Sequence, residues 1–301
     1  MKFIRPMKAG RGQLPMDDAD ILYEPKWDGW RIQLHINKGD MVAFTGNGKD
    51  VTEKIPELSG WREGIQAESV ILDGEAVCIR NGRPVADDAL YRLRISRSER
   101  IRQALHTHPL TLILFDVLYQ DGLSFMGQTL IKRKMKLNEV VVSRENMALS
   151  PHQTGSGHNL WEHTRIHQWE GVIGKRKDSV YVPGIRSPFW LRKHHARVLD
   201  VIILGYRLEP DFAISVGVHF RTVPYKPVAT VTDGFTETLR RELLHQLEPL
   251  IIGQEGATRL VTPVLCCRIT YKERTVMHQL GDTVFQQMLP AVQPDNCNWI
   301  P

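Results

Sequence analysis

Glu24-Pro25-Lys26-Trp27-Asp28-Gly29-Trp30-Arg31 ends one apolar run in a lysine and opens the next after an Asp-Gly turn. Before it, Ile21-Leu22-Tyr23 is continuously apolar. After it, Trp30-Arg31-Ile32-Gln33-Leu34-His35-Ile36 alternates with the period of a strand. The proline and the glycine punctuate the loop between them. A lysine in such a place has two readings. In one it is a solvated residue beside a turn. In the other it is a nucleophile, which must be neutral to attack although its reference pKa is about 10.4. Half-deprotonation at about pH 7.5 needs a depression of roughly three units, or about 4 kcal/mol, which burial or a neighbouring cation supplies. On the second reading the pKa of Lys26 is lowered.

Downstream, Val70-Ile71-Leu72 runs into Asp73-Gly74-Glu75-Ala76-Val77-Cys78-Ile79 as a further strand. Residues 87–105 predict one helix, with Leu90, Leu93, Ile101 and Leu105 on its apolar face and arginines between. Residues 110–119 read as a buried strand ending at Asp121-Gly122, and helices are expected near 129–142 and 159–168. Beyond about residue 196 the chain turns β-rich, with runs at 198–206, 212–220 and 264–272 and an amphipathic helix near 235–250. Five or so strands with one helix in that segment suggest a small barrel of the OB type.

The 301 residues suit two domains, and 42% hydrophobic with 24% charged residues is an ordinary globular composition. The longest apolar run falls short of the roughly 18–20 residues that span a bilayer. The start, Met1-Lys2-Phe3-Ile4-Arg5-Pro6, lacks the apolar segment of a signal peptide. Thirty-nine Lys and Arg against 34 Asp and Glu leave a net charge of +5, compatible with a polyanionic partner. The basic residues cluster, with Arg92, Arg94, Arg97, Arg100 and Arg102 in one stretch and Lys132, Arg133, Lys134 and Lys136 in another. Cys78, Cys266, Cys267 and Cys297 contain no C-x-x-C, which fits a reducing, cytoplasmic setting. His163 and His167 stand four apart, but no third ligand follows at a recognised spacing, so exposed helix histidines are expected rather than a metal site. Nothing in the sequence indicates oligomerisation, and a monomer is expected.

Five stretches occur in order: Lys26-x-Asp28-Gly29-x-Arg31; Asp73-Gly74-Glu75; Phe115-Asp116-Val117-Leu118-Tyr119-x-Asp121-Gly122; Glu170-Gly171-Val172-Ile173-x-Lys175; and Tyr181-Val182-Pro183-Gly184-x-Arg186-Ser187-x-x-Trp190-Leu191-Arg192-Lys193. The series resembles the covalent nucleotidyltransferases, most closely the ATP-dependent DNA ligases, over about residues 1–205. It continues more weakly through the C-terminal segment, which resembles that of bacterial end-joining ligases. The resemblance implies an α+β fold of two domains. Residues 1–196 would form a nucleotidyltransferase (adenylation) domain of antiparallel sheets and helices, and 197–301 an OB-type β-barrel. It implies that Lys26 takes AMP from ATP as a phosphoramidate, passes it to the 5′-phosphate of a nick, and the 3′-hydroxyl then displaces it. Glu24 matches the residue that reads the adenine edge, Phe115 the aromatic that stacks on adenine, and Arg31 and Glu75 residues around the ribose and reacting phosphates. Lys175, Arg192 and Lys193 match cations at the α-phosphate. Glu170, with Glu75, matches the carboxylates that hold Mg²⁺ (or Mn²⁺). No G-x-x-x-x-G-K-[ST] loop is present, so a P-loop does not hold the ATP.

The chain also departs from that pattern. Where the family has an arginine in a serine-arginine-asparagine-glycine stretch, this chain has Gly46. The two lysine positions of the late motif are Arg192 and His194, with Lys193 between. The region of the final motif, Gln279-Leu280-Gly281-Asp282-Thr283-Val284-Phe285-Gln286-Gln287-Met288, lacks its usual basic residues. These changes predict slow self-adenylylation. Arg92, Arg94, Arg97, Lys132, Arg133 and Lys134 are expected on the phosphates of nicked duplex DNA. A Ku-type end-binding partner and a nucleoid-associated location follow from the end-joining resemblance. An RNA ligase, a capping-type guanylyltransferase, and a nick-binding protein on an impaired ligase scaffold are the alternative readings.

Overall fold

The turn at Trp27-Asp28-Gly29 carries the chain out of one sheet and into another, between strands Asp17–Lys26 and Trp30–Asn37. Its glycine is required by close approach: a Cβ at Gly29 would lie 2.3 Å from the carbonyl oxygen of Ala76. A computed structural model describes residues 1–299 of the chain. They divide into two compact units, Met1–His194 and a second beginning at His195.

The first unit is α+β, with two larger sheets and a two-stranded hairpin of Ile79–Arg80 and Arg83–Pro84. One sheet orders its strands Lys8–Gly10, Arg186–His194, Gly171–Arg176, Asp17–Lys26 and Gln153–Ser156. The other runs Met147–Leu149, Thr111–Gln120, Ser69–Val77, Trp30–Asn37 and Asp40–Thr45. Pairing is antiparallel except for the first strand of each order. Alternation along Trp30–Asn37 decides both faces of the second sheet. Ile32, Leu34 and Ile36 are fully buried in a core with Leu72, Leu114, Trp61, Leu93 and Leu137. Arg31, opposite Glu75, and Gln33, opposite Asp73, point the other way.

The expected helix over 87–105 is two helices, Ala86–Arg94 and Ser98–Thr107. Ile95 and Arg97 take extended backbone between them, and Ile95 packs into its own small cluster with Ile101 and Ala104. Helices Leu130–Val140 and His158–Ile166 lie where the periodicity placed them.

The second unit holds seven strands paired in one sheet, more than the five or so expected. Val223–Val231, Ile251–Glu255, Thr258–Val261 and Val284–Met288 join the three runs read from sequence. Of the added strands, Ile251–Glu255 is exposed throughout, and Val223–Val231 is exposed at five of its nine residues and carries Pro224 and Pro227, which count against a strand interior. The long Arg197–Arg207 strand pairs with Ala213–Phe220, Thr258–Val261 and Cys266–Tyr271. An isolated parallel bridge joins Asp233, just past one edge strand, to Val284. The helix here is Glu237–Leu247, with the Thr236 hydroxyl accepting from the Leu239 amide at 3.2 Å. No helix among the described residues is long and apolar enough to cross a membrane.

Candidate active site

Glu24 and Lys26 are two residues apart on one strand, so both side chains leave the same face. The neighbouring strands continue that face: Glu24 stands opposite Ile173, Lys26 opposite Gly171, Lys175 opposite Trp190, and Ile173 opposite Arg192. From the other sheet come Arg31, Glu75 and Phe115. These residues line a cavity of about 220 Å³ between the two sheets of the first unit, together with Lys8, Ala9, Pro25, Trp27 and Arg186.

Lys26 Nζ donates to Glu170 Oε2 at 2.5 Å. Burial pushes its ammonium toward neutrality, but the charge and hydrogen bond of Glu170, with Asp28 and Glu75 nearby, outweigh it. The pKa of Lys26 therefore lies above the ordinary lysine value, not below it as the nucleophile argument required. The reason is the adjacent carboxylate, 144 residues further along the chain. Glu170 also has His194 Nε2 3.7 Å from its other oxygen. Burial pushes the Glu75 carboxyl up to about 8; Arg31 and Lys26 oppose the shift, while Glu170 and Asp28 add to it.

Arg31 does not reach freely into the cavity. Asp73, fully buried, grips its guanidinium by both oxygens at 2.5 and 2.6 Å, and the Tyr181 hydroxyl donates to Asp73 at 2.6 Å. The guanidinium carbon sits 4.4 Å from the centre of the Phe115 ring. A Cβ at Gly46 would lie 3.1 Å from Arg31 Cβ, so the position without its arginine lies directly against Arg31.

The Glu24 carboxylate, 1% exposed, has two lysines: Lys134 Nζ at 2.6 Å from Oε1 and Lys175 Nζ at 2.9 Å from Oε2. They hold Glu24 below the usual carboxylate range against the opposing effect of burial. Burial pushes Lys175 down to about 8, Lys134 adds repulsion, and Glu24 opposes both. The Lys175 ammonium lies 4.5 Å from the Phe115 ring centre and 4.4 Å from that of Trp190.

Of the residues picked out from sequence, Glu24, Lys26, Arg31, Glu75, Phe115, Lys175 and Arg192 line one cavity, with Glu170 on Lys26. Lys193 does not join them; it alternates to the other face of its strand and lies 4.5 Å over the Trp161 ring. Three expected nucleic-acid contacts are corrected by burial. Arg92 pairs with Glu57 at 2.9 Å and Arg133 with Asp116 at 2.7 Å, all but Glu57 with no exposed side-chain surface. Lys134 is the second cation on Glu24. Arg94, Arg97 and Lys132 are exposed. His163 and His167 are exposed, with ring centres 4.4 Å apart, and His163 meets Trp169 edge-on. Sequence reasoning gave no role to Lys8 or Arg186, paired across neighbouring strands at the cavity wall. It also missed Asp73 as the anchor of Arg31; its place two residues before Glu75, on the same face, was the available signal.

A lysine, two carboxylates near it, a ring flanked by cations and further arginines on the wall form a site for an anionic, ring-bearing substrate. Residues 6–193 match the model of the ATP-dependent DNA ligase domain, and the chain belongs to that family. It is 31% identical over 291 residues to a DNA ligase of Thermococcus onnurineus (strain NA1), covering 90% of this chain and 52% of that protein. It is 28% identical over 310 residues to the multifunctional non-homologous end joining protein LigD of Mycobacterium bovis, covering 97% of this chain and 39% of that one. The chain thus spans about half the length, or less, of these curated relatives. Among solved structures, a mycobacterial DNA ligase D complexed with ATP and MES superposes with a TM-score of 0.56 at 24% identity, covering 98% of this chain and 97% of that one. That likeness shows a shared fold.

Proposed function

We propose that the chain seals nicks in duplex DNA with ATP, through a lysyl-AMP on Lys26. The observation that carries this reading is the meeting of Lys26, Glu75, Arg31, Phe115 and Lys175 around one cavity from separate stretches of sequence, with Glu170 paired to Lys26. Lys26 gives up a proton from its ammonium, which Glu170 at 2.5 Å is placed to take, and the neutral Nζ attacks the α-phosphorus of ATP; the bond to the oxygen bridging to the β-phosphate breaks, and pyrophosphate leaves. AMP then moves to the 5′-phosphate of the nick, and the 3′-hydroxyl displaces it to join the strand. Phe115 and Glu24 hold the base, while Lys175, Arg192, Arg186 and Lys8 offset phosphate charge.

Two carboxylates fit a magnesium ion, which takes one or two of them and completes its shell with phosphate and water. Glu75 and Glu170 would be the carboxylates to hold it, and its charge would offset the repulsion from Glu170 that adds to the upward shift of Glu75. Held there, Mg²⁺ (or Mn²⁺) would supply charge against the triphosphate and compete with Lys26 for Glu170.

Residues 1–196 would act as the adenylation domain and 197–301 as an OB-type barrel, the last two of which lie outside the described residues. The bridge from Asp233 to Val284 supports that barrel reading, since it links opposite margins of the sheet. Nicked DNA as substrate, a Ku-type partner, a monomeric state and a cytoplasmic, nucleoid-associated location belong to the same proposal. A second reading, a nick-binding protein impaired in its first step, is favoured by Gly46 against Arg31 and by the raised pKa of Lys26.

The deciding measurement is covalent labelling with α-phosphate-labelled ATP and Mg²⁺, with GTP in parallel, followed by a chase with nicked DNA or nicked RNA. Label from ATP that Lys26→Ala abolishes, and that leaves as sealed DNA forms, is the expected result. Label from GTP would move the assignment to capping chemistry, and sealing confined to RNA to an RNA ligase. No label on AMP-free protein that still binds nicks would establish the impaired reading.

A further inference from the structure

Glu24 is a buried carboxylate with two buried lysines on it, and one of the two has no work at the cavity wall. Lys134 comes from the helix Leu130–Val140, its side chain is 6% exposed, and it does not line the cavity. Lys175 does line it. The other buried charges nearby are matched one to one, Arg133 with Asp116 and Arg31 with Asp73. The trio Lys134, Glu24 and Lys175 therefore carries one positive charge in excess at a place where charge is costly. That excess is what an entering anion would neutralise.

Resting on the reading that the cavity takes a nucleotide, we propose that Lys134 is a positioning residue, a standing counter-ion that lets Lys175 leave Glu24 for the α-phosphate. Without Lys134, Lys175 is the sole ion-pair partner of Glu24 among the described residues, and drawing it away would leave a buried carboxylate with no opposing charge, since a base held there is neutral. With Lys134 in place at 2.6 Å, Glu24 stays compensated whichever way Lys175 turns. The groups facing Lys175 fit this division. Glu24 attracts it from its own sheet, Asp116 from the second sheet, and Lys134 repels it from the helix. The rings of Phe115 and Trp190 flank its ammonium without fixing it by a hydrogen bond.

The test uses the full chain with Lys134→Met and Lys134→Arg. Three quantities are read: single-turnover labelling from ATP across a concentration series, affinity for α,β-methylene ATP, and the thermal midpoint. Lys134→Met should melt at or above the wild-type temperature, because it removes a surplus buried charge and leaves a one-to-one pair. It should nevertheless label about tenfold more slowly at saturating ATP, or worse. Lys134→Arg should restore most of that rate. Wild-type labelling by Lys134→Met would overturn the proposal while leaving the ligase reading intact. A loss of rate that only follows a lowered midpoint would also overturn it, since that marks a packing role. If the wild type binds the analogue but does not label, the affinity ratio decides: equal affinities overturn the proposal, and weaker binding by Lys134→Met supports it. A wild type that neither labels nor binds the analogue would remove the nucleotide reading and this proposal with it.

Discussion

Burial displaces the Glu75 carboxyl upward, and the consequence for stability has a definite sign. Its pKa rises from 4.5 to about 8 on folding, because burial disfavours the charged form more than Arg31 and Lys26 favour it. The folded state thus binds a proton more tightly than the unfolded chain. The contribution is fully present below about pH 4.5 and is lost as pH rises to about 8. In Glu75→Gln that slope disappears. Urea unfolding at pH 5 and pH 8 should show the variant gaining on the wild type by on the order of 2 kcal/mol, less than the whole shift because the carboxyl is partly open to water. Parallel stabilities at the two pH values would mean that Glu75 is ionised throughout. Lys26 has the opposite relation to the sequence argument. The motif identified the residue, but its protonation is set by Glu170, which no local reading could place at 2.5 Å.

At the level of elements, the site depends on a three-residue turn that moves the chain between sheets. Gly29→Ala would drive a Cβ to 2.3 Å from backbone oxygen and 2.8 Å from Val77 Cγ1, and backbone cannot rotate away as a side chain can. The expected cost is about 2 kcal/mol or more, read as a lowered thermal midpoint, with slowed labelling because Lys26 ends the displaced strand. An unchanged midpoint would show that the sheets separate easily there. Strands flanking the turn were legible because alternation repeats over Trp30–Ile36. The ordered motifs also made Glu24, Lys26, Arg31, Glu75, Phe115, Lys175 and Arg192 legible as one site, since the chemistry ties together stretches that lie far apart in the chain. The break at Ile95–Arg97 was not legible, since apolar spacing continues across it and only tertiary packing of Ile95 decides. The burial of Arg92, Arg133 and Lys134 was hidden for a related reason. Each basic run mixes inward and outward cations, and what separates them is a carboxylate elsewhere: Glu57, Asp116 or Glu24.

For the whole molecule, the same separation of cations turns a net charge of +5 into a testable footprint. Only charges that reach solvent can displace counterions from a duplex, so Arg94, Arg97 and Lys132 remain as candidates. Neutralising all three to alanine should weaken binding to nicked DNA and lower the slope of log affinity against log salt by about one per lost phosphate contact. The loss should be equal for nicks in different sequences, because phosphate contacts carry no base information. Thermal stability should stay within about 0.5 kcal/mol per site of the wild type, as for exposed substitutions generally. Arg133→Ala is the contrasting variant. It strands Asp116, which has no exposed side-chain surface, at a cost of about 3–5 kcal/mol. Its binding should fall with the folded fraction, and at temperatures where it is folded its salt slope should match that of the wild type. If the triple variant keeps the full slope, the duplex lies on another surface of the chain. A reduced slope in folded Arg133→Ala would mean that DNA draws this buried pair apart.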